Sequence, residues 1–291
     1  MGKYKSMLLI TAFLLTACTQ DKVVPKEIEK SEENMIVTPD GKLTIEIINN
    51  VKVPQEKVES IKNELLTAYD DIQNSIHTPY VPSEKITVYL NEGTQASSGF
   101  ASEIVLFEVK EETYPLVHEM THSLLGYGNN FDTSSGYFTQ EGFASYMENT
   151  YGRNKIDFHK YIKYYLDSNK LIPISKLIDL NQDNAYFRPS NYNKSIESNI
   201  LMNMSYNHAA SFVSYLIDTY GLDKFEQIYN EKDLAKKIEE VYGRNLNELE
   251  KDWIDFINSQ TEFTTEEKLI LNLYNTMKII DTLDPKLFVQ A

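Results

Sequence analysis

His118-Glu119-Met120-Thr121-His122, followed after an eighteen-residue gap by Glu141-Gly142-Phe143-Ala144-Ser145-Tyr146, is the stretch that decides how this chain is read. Residues four apart on an α-helix share a face, so His118 and His122 can reach one metal ion together. Glu119 lies about 100° further round the same helix and projects beside that ion, where a water would sit. Two ligands and a base leave such a site incomplete, because catalytic zinc takes three protein ligands plus water. Glu141 supplies the third.

The flanking residues predict the helices that this geometry needs. Pro115 suits a first helical turn, where its missing N–H costs little. Leu116, Val117, Met120 and Leu124 fall at helical spacing around the histidines, and Gly126 and Gly128 are good terminators. A helix over about 114–125 is expected, then a Gly/Asn/Asp/Ser-rich loop over 126–138 and a second helix from near Thr139, which reads as its N-cap. This helix–loop–helix can fold Glu141 back onto the histidine face.

HEMTH, the gap and EGFASY together resemble the gluzincin zinc metallopeptidases of the peptidase MA-like superfamily, and the EGFASY segment is similar to that of the aminopeptidase N family. The resemblance spans about residues 84–258. It implies a thermolysin-like catalytic domain in which His118, His122 and Glu141 bind one Zn2+ per chain and Glu119 is the general base. It also implies a donor for the oxyanion, which related enzymes take from a tyrosine or a histidine on a downstream helix. Tyr206 and His208, in Met204-Ser205-Tyr206-Asn207-His208-Ala209, stand in that place, Tyr206 as first choice and His208 as second. His77 and His159 read as surface or satisfied core residues. Residues 99–107 occupy the position of the edge strand that pairs with extended substrate in these enzymes. Two features depart from the aminopeptidase pattern. The G-x-M-E-N segment that holds a free amino group is absent, with Ser98-Gly99-Phe100-Ala101-Ser102-Glu103 in its place, and Phe138 stands where a tryptophan precedes the third ligand. Endo- and exopeptidase action both remain open. Tyr220-Gly221-Leu222 and Tyr242-Gly243-Arg244 through Trp253 resemble the helical tail of such proteins, with Gly221 and Gly243 as helix stops and Trp253 in the core.

The N-terminus concerns location. Lys3 and Lys5 precede the apolar stretch Met7–Leu15, a hydrophobic core too short to span a bilayer and of signal-peptide length. Leu15-Thr16-Ala17-Cys18 resembles the bacterial lipobox, which implies removal of residues 1–17 and diacylglycerol attachment to Cys18. Cys18 is the only cysteine, so no intramolecular disulfide is available. Residues 18–42, polar and charged with Pro25 and Pro39, read as a lipidated cysteine and flexible tether.

The chain carries a net charge of −15; loss of Lys3 and Lys5 with the leader leaves 26 basic against 43 acidic residues, or −17. That balance argues against nucleic-acid binding and against adhesion to anionic lipid, which leaves anchoring to the lipid on Cys18.

Residues 43–291 are expected to form one α+β peptidase domain, mixed over 43–112 and mainly helical over 113–291. Strands are expected at 43–48, 85–90 and 104–107, a long helix at 54–76, and further helices near 155–168, 206–220, 245–258 and 264–280. The expectation is an exported bacterial lipoprotein, held at the outer face of the cytoplasmic membrane, that hydrolyses peptide or protein substrates. The rival from another class is a non-catalytic peptide-binding surface lipoprotein that retains a peptidase fold. A zinc hydrolase of a non-peptide amide or epoxide is a third reading, and oligomeric state is open.

Overall fold

Alternating apolar residues build an N-terminal sheet of five strands: β1 (Met35–Val37), β2 (Thr44–Asn49), β3 (Lys85–Leu90), β4 (Ser98–Phe100) and β5 (Glu103–Leu106). The structure, a computed structural model, describes residues 34–78, 83–125, 135–189 and 195–289. The leader, Cys18 and the tether up to residue 33 lie outside the described residues, as does the loop over 126–134. Strand order is β1-β2-β3-β5-β4, with β2, β3 and β5 parallel and the two edges antiparallel. Parallel neighbours need a crossover, and α1 (Gln55–Ser75) provides the one between β2 and β3. Ile45, Ile47, Ile86, Val88, Leu90, Ile104 and Leu106 are buried in one core with Val58, Ile61, Leu65 and Ile72 of α1.

The folded part begins earlier than expected. Met35–Val37, placed in the tether by composition, pairs antiparallel with Glu46–Thr44 as the outer edge of the sheet. Three consecutive apolar residues suffice for a short ladder even where the neighbouring sequence is polar. Met35 and Val37 stay exposed there.

The rest of the described chain is mainly helical: α2 (Leu116–Leu125), α3 (Phe138–Tyr151), α4 (Phe158–Asp167), α5 (Ile174–Leu177), α6 (Asp183–Phe187), α7 (Ile196–Tyr220), α8 (Leu222–Glu226), α9 (Leu234–Tyr242), α10 (Leu246–Asn258), α11 (Thr265–Ile270) and α12 (Leu273–Ile280). An α+β fold with a small N-terminal sheet followed by helices is thus the observed class. α7 starts ten residues before the expected 206, because the Ser195 hydroxyl accepts from the Ser198 N–H and caps it. The helix expected over 264–280 breaks at Asn272, whose φ of 54° ends α11 and begins α12. Gly221 and Gly243 follow the ends of α7 and α9 as expected, and Trp253 is fully buried. No helix among the described residues is long and apolar enough to cross a membrane.

α2 lies at the centre of this arrangement, with all ten of its residues buried. It packs against α1, α3, β4 and β5, and α3 in turn rests on α7. A Cβ at Gly142 would come within 2.7 Å of Val213 Cγ2 and 2.8 Å of the Ala209 carbonyl, so α3 and α7 touch through that glycine.

Candidate metal centre

α2 carries His118 and His122 one turn apart, and the first turn of α3 carries Glu141 across from them. His118 Nε2 and His122 Nε2 lie 3.1 Å apart, and Glu141 Oε2 stands 3.2 Å from His122 Nε2 and 3.3 Å from His118 Nε2. Three ligand atoms at about 2.0–2.1 Å from a tetrahedral zinc would be separated by about 3.3 Å, so this triangle has the dimensions of a three-ligand site. All three side chains are buried. Two imidazole nitrogens and a carboxylate oxygen are a donor set of the kind that zinc takes. The residues present fit a zinc ion.

Glu119 also belongs to the cluster, its carboxylate, His118 and His122 each offering a ligand atom within 4.8 Å of the others. The Glu141 triangle is the tighter set. Glu119, one residue round the helix from His118, borders that triangle.

Surrounding contacts fix these positions. On α3, Glu148 lies two turns beyond Glu141 and shares its face. Its Oε2 accepts from the backbone N–H of Val117 at 3.0 Å and of His118 at 3.1 Å, while Oε1 accepts from the Asn154 N–H. A carboxylate at the N-terminus of α2 suits both the helix dipole and its first unpaired N–H groups. On the other side, a Cβ at Gly99 would fall 2.0 Å from the Glu119 carbonyl oxygen, so edge strand β4 lies directly against α2. The edge position expected over 99–107 belongs to β4 alone; β5 is an inner strand. Arg188, just past α6, donates from Nη2 to Glu141 Oε1 at 2.5 Å and is itself buried.

Electrostatics follow from burial and these partners. Burial pushes the Glu119 carboxyl up to about 7, with His118 opposing and the Glu141 and Glu148 carboxylates reinforcing. Burial works against the charged form of His118, but its bond to Glu141 and the nearby carboxylates outweigh that and raise it. His122 is held down at about 4 by burial, which Glu141 only partly offsets. Burial also opposes ionisation of Glu141, yet Arg188 and the two histidines keep it well below the usual carboxylate range.

The two expected oxyanion donors part company. Tyr206 stacks toward His118, ring centroids 6.5 Å apart, and its hydroxyl accepts from Arg188 Nη1 at 2.7 Å. It therefore stands at the site. His208 does not: its Nδ1 pairs with the Met204 carbonyl at 2.6 Å and its Nε2 accepts from the Ile172 N–H at 3.0 Å. Residues two apart on a helix point about 200° away from each other, so Tyr206 and His208 cannot serve one site. His208 stacks on Tyr165 and supports the core. His159 bonds Ser211, and exposed His77 pairs with Asp223 and, with Asp223 and Glu226, makes a second group whose possible ligand atoms lie within 4.8 Å of one another. Thr139, read as an N-cap, instead sits inside α3 and accepts from the Asn230 N–H.

Sequence reasoning missed Arg188 and Glu148. Arg188 is one of three arginines among 28 basic residues, a rarity that could have drawn notice. Glu148 carried a signal too, seven residues after Glu141 on a predicted helix. A scan against models of known protein families and a search of curated proteins both found no match to this chain.

Proposed function

We propose that this chain is a zinc-dependent metallopeptidase of gluzincin type, with a thermolysin-like catalytic domain that cleaves peptide bonds in peptide or protein substrates. The observation that carries the reading is the buried triangle of His118 Nε2, His122 Nε2 and Glu141 Oε2, with edges of 3.1–3.3 Å. His118, His122 and Glu141 would hold the ion, whose chemistry there is to lower the pKa of a bound water and polarise the scissile carbonyl. Glu119 accepts the proton of the attacking water and delivers it to the leaving amine. Tyr206 donates its O–H to the oxygen that gains charge. β4, against the Glu119 turn of α2, is the edge strand to which an extended peptide backbone would add.

The leader and its L-T-A-C ending support export and lipid attachment at Cys18, so the enzyme would work at the outer face of the cytoplasmic membrane. Cys18→Ser is expected to leave the membrane fraction or accumulate as precursor. Unchanged retention and processing would refute that part. The peptidase reading is tested by incubating a mixed peptide library with the full chain and with Glu119→Gln. Cleavage by the first and not by the second is expected, and the cut positions separate endo- from exopeptidase action. No cleavage by either, with zinc bound, would favour the peptide-binding alternative.

A further inference from the structure

Arg188 joins two groups that the proposed chemistry uses separately. Its Nη2 donates to Glu141 Oε1 at 2.5 Å, and its Nη1 donates to the Tyr206 hydroxyl at 2.7 Å and to the Phe187 carbonyl at 2.8 Å. The guanidinium lies over the Tyr137 ring, 4.2 Å from its centroid, and the residue is only 5% exposed. A buried cation held on four sides has one orientation available. An exposed surface arginine has many.

We infer that Arg188 is a positioning residue that sets both the metal-ligand geometry of Glu141 and the donor direction of Tyr206; the inference rests on the metallopeptidase reading. Glu141 has two oxygens, and Arg188 occupies Oε1 while Oε2 joins the histidine triangle. A carboxylate clamped in this way offers a metal one oxygen, which leaves room for water and substrate carbonyl on the ion. Arginine has donors only, so the Tyr206 oxygen must accept in their shared bond. The phenol O–H is thereby turned away from Arg188, so the guanidinium sets which way Tyr206 can donate. One side chain thus holds the ligand and the oxyanion donor in a fixed relation, through a planar fork that lysine lacks.

The test uses the full chain with zinc, and the variants Arg188→Met, Arg188→Lys and Tyr206→Phe. Competition with a chelator is expected to show about 10–100-fold weaker zinc binding in Arg188→Met. X-ray absorption should show Glu141 turning to two-oxygen coordination in that variant. Arg188→Lys keeps the charge beside Glu141 and should recover most of the zinc affinity, yet it cannot bridge to Tyr206. Its kcat should fall with KM little changed, and adding Tyr206→Phe to it should cost nothing more. Wild-type zinc affinity and coordination in Arg188→Met would overturn the inference. So would a Tyr206→Phe effect of equal size with and without Arg188→Lys, an arm that decides the matter even if Arg188→Met fails to fold. A wild-type chain without zinc would overturn this inference and the metallopeptidase reading together. Zinc in the wild type with unaltered variants would overturn this inference alone.

Discussion

His122 on α2 and His208 on α7 lie on two helices that both pack against α3, and burial pushes both imidazoles down to about 4. Their surroundings differ in kind. Around His208, one ring nitrogen faces a carbonyl and the other faces an N–H, so each meets the partner it needs and the ring is a strut. Around His122, Nε2 faces another imidazole nitrogen at 3.1 Å and a carboxylate oxygen at 3.2 Å. Three groups of metal-ligand type converge around His122, whereas His208 meets one matched acceptor and one matched donor. Burial and a shifted pKa therefore do not separate site from scaffold here; the chemistry of the facing atoms does.

The largest expected effect lies on the His122 side. Glu119→Gln should keep zinc and lower kcat by about 10²–10⁴-fold, read by single-turnover cleavage of a peptide found in the library experiment. Normal turnover would remove Glu119 as the base. On the other side, His208→Ala should lower unfolding stability by about 2–4 kcal/mol in urea, through two lost buried hydrogen bonds and the cavity left behind. It should leave the zinc content of the folded fraction unchanged. A smaller and more general effect comes from the metal. Free zinc at a hundred times its Kd should stabilise the chain by about 2.7 kcal/mol, and His122→Ala should abolish that gain. If zinc stabilised His122→Ala as much as wild type, the triangle would not be the binding site. Smallest is Gly99→Ala, expected to cost about 1–3 kcal/mol as its methyl group meets the Glu119 carbonyl and pushes β4 off α2. Wild-type stability there would mean that the strand yields freely.

Reading the residues in order brought out the parts of the site that are local in sequence. His118, Glu119 and His122 follow from a single helical turn, and Glu141 from the next helix of the same hairpin. Arg188 was not legible, since it reaches Glu141 from 47 residues further along, at the end of the five-residue α6 that no periodicity announces. Glu148 was hidden for another reason: a helical glutamate usually reads as a solvated face, and only packing shows it gripping the first turn of α2. The choice between Tyr206 and His208 was partly legible, because a spacing of two on a helix forbids a shared face; which of them turns inward depended on how α7 lies against α3. In the fold, β2, α1, β3 and α10 stood close to their expected bounds, as long periodic segments do. The early start of α7 and the break at Asn272 depended on a cap and a left-handed residue, which composition over a window does not register.

The central claim is that the His118–His122–Glu141 triangle holds the metal while His208 belongs to the scaffold. Zinc per chain, measured on purified wild type, His122→Ala and His208→Gln, tests it most directly. The account predicts one zinc, none and one. Zinc retained by His122→Ala, lost from folded His208→Gln, or absent from the wild type would contradict it.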